Sequence, residues 1–298
     1  MKQKRKTEAS SYGVKRGRGV GFYIFSRLVI VIVILAIAFP ILYIFSISLR
    51  TEATVYEDIF VLIPKEATSQ NYPGALDYAK NRLNVSFPEM FRNSIICTFG
   101  ALTISIILSA FASFGFSNFK FRGKEMLYTL MIASFAIPVQ ASLIPLFFME
   151  TKLGVMNTYL AVMLPYIGFT IPIGILILRS FFEGIPIEIK EAARVDGVSN
   201  FQMLVKIILP LSKPAIATCI ILLFLETWNE FLFALIFLQN PKFQTVPVAI
   251  AKIAGGKCFA ALGIYGAAVM ITIIPILIVF IIFQRWFIAG VTLGAVKG

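Results

Sequence analysis

Five stretches of this sequence run past 20 residues without one charged side chain: Leu28 to Leu49, Asn93 to Phe119, Met126 to Met149, Leu153 to Leu178 and Cys258 to Gln284. A sixth, Pro214 to Leu238, is interrupted only by Glu226 and Glu230. Crossing a hydrocarbon layer of about 30 Å takes roughly 20 mostly apolar residues in a helix. A chain of 298 residues that is 58% hydrophobic and 14% charged carries more apolar surface than one soluble core could hide, so the bilayer must be its solvent. Barrel strands would alternate in hydrophobicity over segments of about 10 residues. These runs are unbroken, and the expected fold is all-α, a polytopic transmembrane bundle of six spans.

The formal charge of +12 could suggest a nucleic-acid ligand, but its placement follows topology instead. If the N-terminus is cytoplasmic, residues 1–27, 120–125, 179–213 and 285–298 lie inside and hold 18 of the 27 Lys and Arg with six of the 15 acids. The outer segments hold nine basic residues and seven acids. Lys120, Arg122 and Lys124 crowd a short loop, where the positive-inside bias counts most. The expectation is N-in and C-in, with no nucleic-acid partner. The basic start followed by an apolar run resembles a secretory signal, but a signal core spans about 7–15 residues. The run from Leu28 is longer, and reads as an uncleaved first span.

Three cysteines, Cys97, Cys219 and Cys258, with the first two inside spans, argue against a disulfide framework. The absence of histidine removes the commonest nitrogen ligand for a metal. No metal or other cofactor is expected. A phosphate-cradling loop needs G-x-x-x-x-G-K-[ST]. The nearest match, Gly256-Lys257-Cys258, has Ala251 at the first glycine position and cysteine at the hydroxyl position. The chain is therefore expected to bind no nucleotide and to be no enzyme.

Prolines 40, 138, 145, 165, 172 and 275 fall inside the runs and should kink them. Arg50 to Arg92 is the long outer loop, Glu150 to Lys152 a tight outer turn, and Gln239 to Lys257 a second outer loop. Arg179 to Lys213 is a cytoplasmic loop far longer than a turn requires. Within it, Ile185 to Gly197 reads as a short helix with Pro186 in its first turn and Gly197 in the left-handed position after its end. Ile185, Ile189, Ala192 and Ala193 fall on one side, and Glu188, Lys190, Glu191, Arg194 and Asp196 supply the polar faces. Ser199 and Gln202 form a capping box for a second helix that enters the fifth span.

Glu191-Ala192-Ala193, three residues, Gly197, nine residues, then Ile207-Ile208-Leu209-Pro210 resembles the EAA loop of the permease subunits of ATP-binding cassette importers. Trp228-Asn229-Glu230-Phe231, Arg92-Asn93-Ser94 and the ending Gly294 to Gly298 point within that family to the carbohydrate-uptake branch and its MalG-like subunits. The resemblance implies a basic N-terminal segment (1–20), a permease domain (21–289, EAA loop 190–210) and a C-terminal tail (290–298) in the cytoplasmic membrane. It implies a second, MalF-like permease subunit, a dimer of ATP-binding subunits and an extracytoplasmic solute-binding protein as partners. The EAA loop would then be the coupling helix between spans 4 and 5. In it Glu191 is a charged contact, Ala192 and Ala193 a packing surface, Gly197 the turn, with Asp196, Ile207, Leu209 and Pro210 completing the loop. The cargo is a sugar or oligosaccharide, or else a related polyol or glycerol-phosphate-type solute.

Glu226 lies deep in the fifth span, where a carboxylate is costly and turns toward protein or water. It shares a helical side with Asn229 and Glu230 at i, i+3 and i+4. These residues, with Trp228, either line the translocation path or pair across the interface with the partner permease. Tyr43, Tyr128, Tyr159, Tyr166 and Trp228 are the aromatics that could stack on a sugar ring. A secondary transporter would instead show paired repeats and acids in several spans, and only the fifth has them.

Overall fold

The computed structural model describes residues 20–57, 61–255 and 262–295, and every regular element among them is helical. Four helices are long and apolar enough to cross a bilayer, or six crossings if each of two bent helix pairs counts as one. The basic segment 1–19, the Gly256-Lys257-Cys258 match and residues 296–298 lie outside the described residues.

Helix α1 (Val20–Ser48) presents most of its apolar side chains outward from Phe22 to Phe45, as a lipid-facing helix must. After the short α2 (Glu52–Glu57), helix α3 (Asn71–Leu83) is fixed to the end of α1 by Asn71, whose Nδ2 donates to the Ser48 and Arg50 carbonyls at 2.9 and 2.7 Å. Helix α4 (Phe87–Asn118) begins with a capping box between Ser86 and Glu89. The run Met126 to Met149 is not the continuous span the sequence predicts. It divides into α5 (Lys124–Ala133) and α6 (Leu143–Leu153), whose axes, extended by 3₁₀ turns, diverge by 94°. Pro138 explains the break, because it has no N–H and forces Ile137 into an extended backbone (ψ 116°).

Glu150 is not in an outer turn either: it sits fully buried in the last turn of α6. The turn comes later, where Gly154 and Asn157 take left-handed φ values of 69° and 59°. The fourth crossing, α7 (Tyr159–Glu183), is therefore displaced several residues from the predicted Leu153 to Leu178. It carries Pro165 and Pro172 internally.

Helices α4 and α7 form the most closely packed pair. Ser105 Oγ and Thr170 Oγ1 lie 2.7 Å apart, while Ser109 Oγ donates to the Ile171 carbonyl at 3.1 Å and Ser113 Oγ to Ile175 at 3.3 Å. Small hydroxyl residues one turn apart let the two backbones approach and bond directly, a favoured solution where no hydrophobic force drives helices together. Gly174 is the point of closest approach, since a Cβ there would stand 2.4 Å from Ser109 Oγ and 2.8 Å from its Cβ.

The loop after α7 folds into α8 (Ile187–Val195) and α9 (Asn200–Met203), followed by a wide π turn at Leu204–Ile208 and the single turn α10 (Leu209–Leu211). Pro210 accounts for the widening, because it cannot donate to Lys206 and its ring would clash there. The Leu209 N–H reaches back five residues to Leu204 instead. Helix α11 (Lys213–Trp228) leaves this segment at 80°. The predicted unbroken span Pro214 to Leu238 is a second correction, since α11 stops at Trp228 and a separate short helix, α12 (Leu232–Phe237), follows three residues on.

At the end of the bundle away from α8, α13 (Val246–Gly255) and α3 pack over the starts of α4 and the last helix, α14 (Leu262–Ala295). Asn93 pins this cap, donating to the Lys242 and Gln244 carbonyls at 2.9 Å each and accepting from Tyr159 Oη at 2.8 Å. Ser94 Oγ accepts from the Val246 N–H at 2.9 Å, so Asn93 and Ser94 of the Arg92-Asn93-Ser94 motif are clamps on residues 242–246. Helix α14 continues as far as Ala295, into the stretch read as a tail.

Gly174→Ala is expected to destabilise the purified protein by about 1–3 kcal/mol through overpacking against Ser109. Gly168→Ala, where an added Cβ meets nothing within 4 Å, should be neutral or stabilising by up to about 1 kcal/mol. Thermal unfolding of both variants in the same detergent checks this; equal melting temperatures would show that the α4–α7 contact is not tight.

Candidate functional site

Two regions gather the residues singled out by the sequence. The first is the surface helix-turn-helix of α8 and α9. Gly197 takes φ 74°, which ends α8 and turns the chain, and Ser199 with Gln202 closes the capping box of α9. The four small and apolar residues read on one side of α8 do not stay together: Ile185 and Ala193 are buried, Ile189 and Ala192 are not. Ala193 is buried with Ile185, Phe182, Met203 and Leu204 in one core cluster, and Lys190 is buried beside it. Lys190 Nζ donates to the Phe182 carbonyl at 2.9 Å, within the last turn of α7. Loss of hydration there holds the ammonium below the ordinary lysine range. Ile189 and Ala192, read on one side with Ile185 and Ala193, are exposed with Glu188, Glu191, Arg194 and Asp196, and Val195 is 87% exposed. Only one of the two alanines is open to another protein. Ile207 and Leu209 are half-buried in the π turn and after it, and Pro210 is exposed.

The second region is the break between α11 and α12. Glu230 lies in it half-buried, and its carboxylate accepts from the Phe233 N–H at 2.8 Å, the Ala234 N–H at 3.2 Å and Tyr166 Oη at 2.8 Å. The two amides are those a continuing helix would have paired with the carbonyls of residues 229 and 230. Glu230 thus terminates one helix and starts the next, and Tyr166 is committed to it. Trp228 is buried between Phe224 and Phe91, at ring-centroid distances of 5.4 and 6.0 Å, and cannot stack on a solute. Glu226 and Asn229, by contrast, are exposed.

Both border a cleft of about 480 Å³ whose opposite wall is the other break: Val139, Gln140 and Leu143 face Leu225, Glu226, Asn229 and Leu232 across it. On the far side of Asn229 lies a second cleft of about 430 Å³, walled by α13 and α14 with Tyr265 and Thr272 as its other polar groups. Irregular backbone at membrane depth is tolerated where it lines a cavity. Gln140 escaped the sequence reading because nothing but the Pro138 break brings it here.

One further cluster ties α7 to α5. Arg179, near the end of α7, bonds Glu183 Oε1 through Nε at 2.7 Å and Glu125 Oε1 through Nη2 at 3.3 Å. Its guanidinium carbon stands 3.8 Å from the centroid of the Tyr128 ring. Glu125 and Tyr128 belong to α5, which buries none of its own residues, so the Arg179 cluster is its main anchor. The Arg179 to Glu183 spacing of four was the visible signal.

Against known proteins, residues 101–293 match the family described as binding-protein-dependent transport system inner membrane component. The trehalose transport system permease protein SugB of Mycobacterium tuberculosis is 34% identical, over 87% of this chain and 92% of that protein. The trehalose/maltose transport system permease protein MalG of Thermococcus litoralis is 34% identical over 87% of this chain and 91% of its own length. A crystal structure of a bacterial ABC transporter that imports the acidic polysaccharide alginate contains a chain 26% identical, with a TM-score of 0.74 covering 89% of this chain and 96% of that one. With its multiple membrane-crossing helices, this chain belongs to the family of binding-protein-dependent transport system inner membrane components.

Proposed function

We propose that this chain is one of two unlike permease subunits of an ATP-driven importer. It moves a sugar or oligosaccharide, delivered by an extracytoplasmic binding protein, across the cytoplasmic membrane. The relatives named for trehalose and maltose transport support the cargo class. A polyol or glycerol-phosphate-type solute is the alternative. Both termini and α8 to α10 are cytoplasmic, a topology supported by the 18-to-nine division of basic residues. The permease domain spans residues 21–289, between a basic N-terminal segment and a short tail.

The observation that carries the reading is the surface of α8. A nine-residue helix is bolted to the ends of the bundle on one side and presents Glu188, Glu191, Ala192, Val195 and Asp196 on the other, with Gly197 shaping the turn beneath. A small residue amid acids and an exposed valine makes a shallow contact that a separate ATP-hydrolysing subunit can seat on. Glu191 is then the charged anchor, Ala192 the close contact, and Ala193 the attachment inward.

Movement imposed on α8 reaches the clefts by two routes. Lys190 and the shared core pull on the end of α7, and through Arg179 on α5 and the Val139-Gln140 break. Alternatively, α9 and the π turn pull on α11, at whose far end stand Glu226 and Asn229. Both routes terminate in the same cleft, the geometry alternating access requires.

Ala192→Trp should leave stability unchanged yet release the ATP-hydrolysing subunits during purification and abolish binding-protein-stimulated hydrolysis. Ala193→Trp should instead lower the permease's own stability by about 1–3 kcal/mol by overpacking its core. Gly197→Val should cost a similar ~1–3 kcal/mol of backbone strain and weaken retention of those subunits. Co-purification and hydrolysis in lipid are the measurements; full stimulation in Ala192→Trp would remove α8 as the docking element.

Topology has its own check in a cysteine-free variant. Val195→Cys should react with an impermeant thiol reagent only from the cytoplasmic side, and Lys65→Cys only from outside. The opposite pattern would invert the assignment.

A further inference from the structure

The cleft between the two helix breaks carries carboxylates and no cation among the described residues, and that sign is informative. Of the two carboxylates at its rim, Glu230 is fully engaged by two backbone amides and the Tyr166 hydroxyl. Glu226 has no hydrogen-bond or ion-pair partner among the described residues and is exposed to the cleft. Asn229 spends its Nδ2 on the Leu225 carbonyl at 2.9 Å, leaving its Oδ1 as an acceptor. Gln140, on the facing break, has a side-chain amide with no partner among the described residues, so it offers both a donor and an acceptor. No Lys or Arg among the described residues lines this cleft or the one beyond Asn229.

We infer that this cleft is a charge filter: Glu226 rejects anionic solutes, while Glu226, Asn229 and Gln140 together accept the hydroxyl groups of neutral ones. The inference rests on the permease reading above and narrows its cargo. A hydroxyl donates as well as accepts, so a neutral polyhydroxylated solute can satisfy the carboxylate, the Asn229 oxygen and both ends of the Gln140 amide. A uronate or phosphate ester brings a negative charge that meets Glu226 with no Lys or Arg among this chain's described cleft-lining residues to offset it. Apolar walls at Leu225, Leu232 and Leu143 keep the local dielectric low, which strengthens that repulsion. The cleft's volume of about 480 Å³ is of the size that holds small-molecule ligands. Of the cargoes left open, the glycerol-phosphate type is the one excluded, and a neutral polyol is not.

The test reads the field in the cleft without knowing the cargo. In the full complex reconstituted in liposomes, with Cys97, Cys219 and Cys258 replaced, Asn229→Cys is reacted with cationic trimethylammonium-ethyl and anionic sulfonatoethyl methanethiosulfonate. Each rate is divided by that reagent's rate with 2-mercaptoethanol. The normalised rate for the cation should exceed that for the anion by roughly tenfold or more, and Gln140→Cys should show the same preference. Adding Glu226→Gln should lower the ratio several-fold, Glu230 accounting for what remains. Because the carboxylate alters thiol ionisation equally for both reagents, the ratio isolates the charge.

A ratio that Glu226→Gln leaves unchanged, or no reaction with either reagent, would overturn the filter. ATP hydrolysis by the cysteine-free parent, with and without its loaded binding protein, separates the two levels. Stimulated hydrolysis with a ratio near one rejects the filter alone, whereas absent stimulation rejects the importer reading whatever the ratio.

Discussion

In hydrocarbon a backbone amide has no water to fall back on, so every interruption of a helix at bilayer depth must bring its own replacement partner. That demand organises this permease. At residues 229–231 the replacement is Glu230, whose carboxylate takes the two amides that open α12 and holds Tyr166 of α7 as a third donor. At residues 134–142 it is met by removing a donor, Pro138, and closing the remaining amides in 3₁₀ turns. The cleft between them exists because these two solutions lie opposite one another. A fifth crossing that ran straight from Lys213 to Leu238 would carry Asn229 and Phe231 on a closed helical surface, with no irregular backbone for a solute to meet.

The packing divides the molecule into a firm part and a lightly held part. Helices α4 and α7 are joined by three hydroxyl contacts and the Gly174 approach, and Asn93 fastens the capping segment to the same pair. Helix α5 buries nothing and depends on Arg179. Elements with few buried contacts supply the motions a protein can make at low cost. The wall of the cleft that carries Gln140 continues from the lightly held element, and the wall that carries Asn229 leans on Tyr166 of the firm one.

The long crossings were legible because charge-free runs of that length have one physical reading, and the capping box and Gly197 because their chemistry is local. The breaks were not. Pro138 announced a kink but not a right-angled one, and nothing in Trp228-Asn229-Glu230-Phe231 is a helix breaker. The signal there was a carboxylate in an apolar run, and its partner turned out to be its own backbone, a possibility that helical-wheel reasoning does not contain. Lys190 failed for a related cause. Judged by hydrophobicity it belonged outside, yet the last carbonyls of α7 lacked helical donors, and the Lys190 ammonium was in reach of Phe182. The long aliphatic stem of lysine makes such burial feasible.

The two neighbouring alanines of α8 look interchangeable in sequence, yet in the fold Ala193 is buried and Ala192 exposed. They should therefore differ in their genetics. Damage from enlarging Ala193 is internal to this polypeptide, so its suppressors should map to the same gene, in core neighbours such as Met203 or Leu204. On the docking proposed above, damage from enlarging Ala192 would lie between chains, and its suppressors should arise in a different gene, the one encoding the protein seated on that helix.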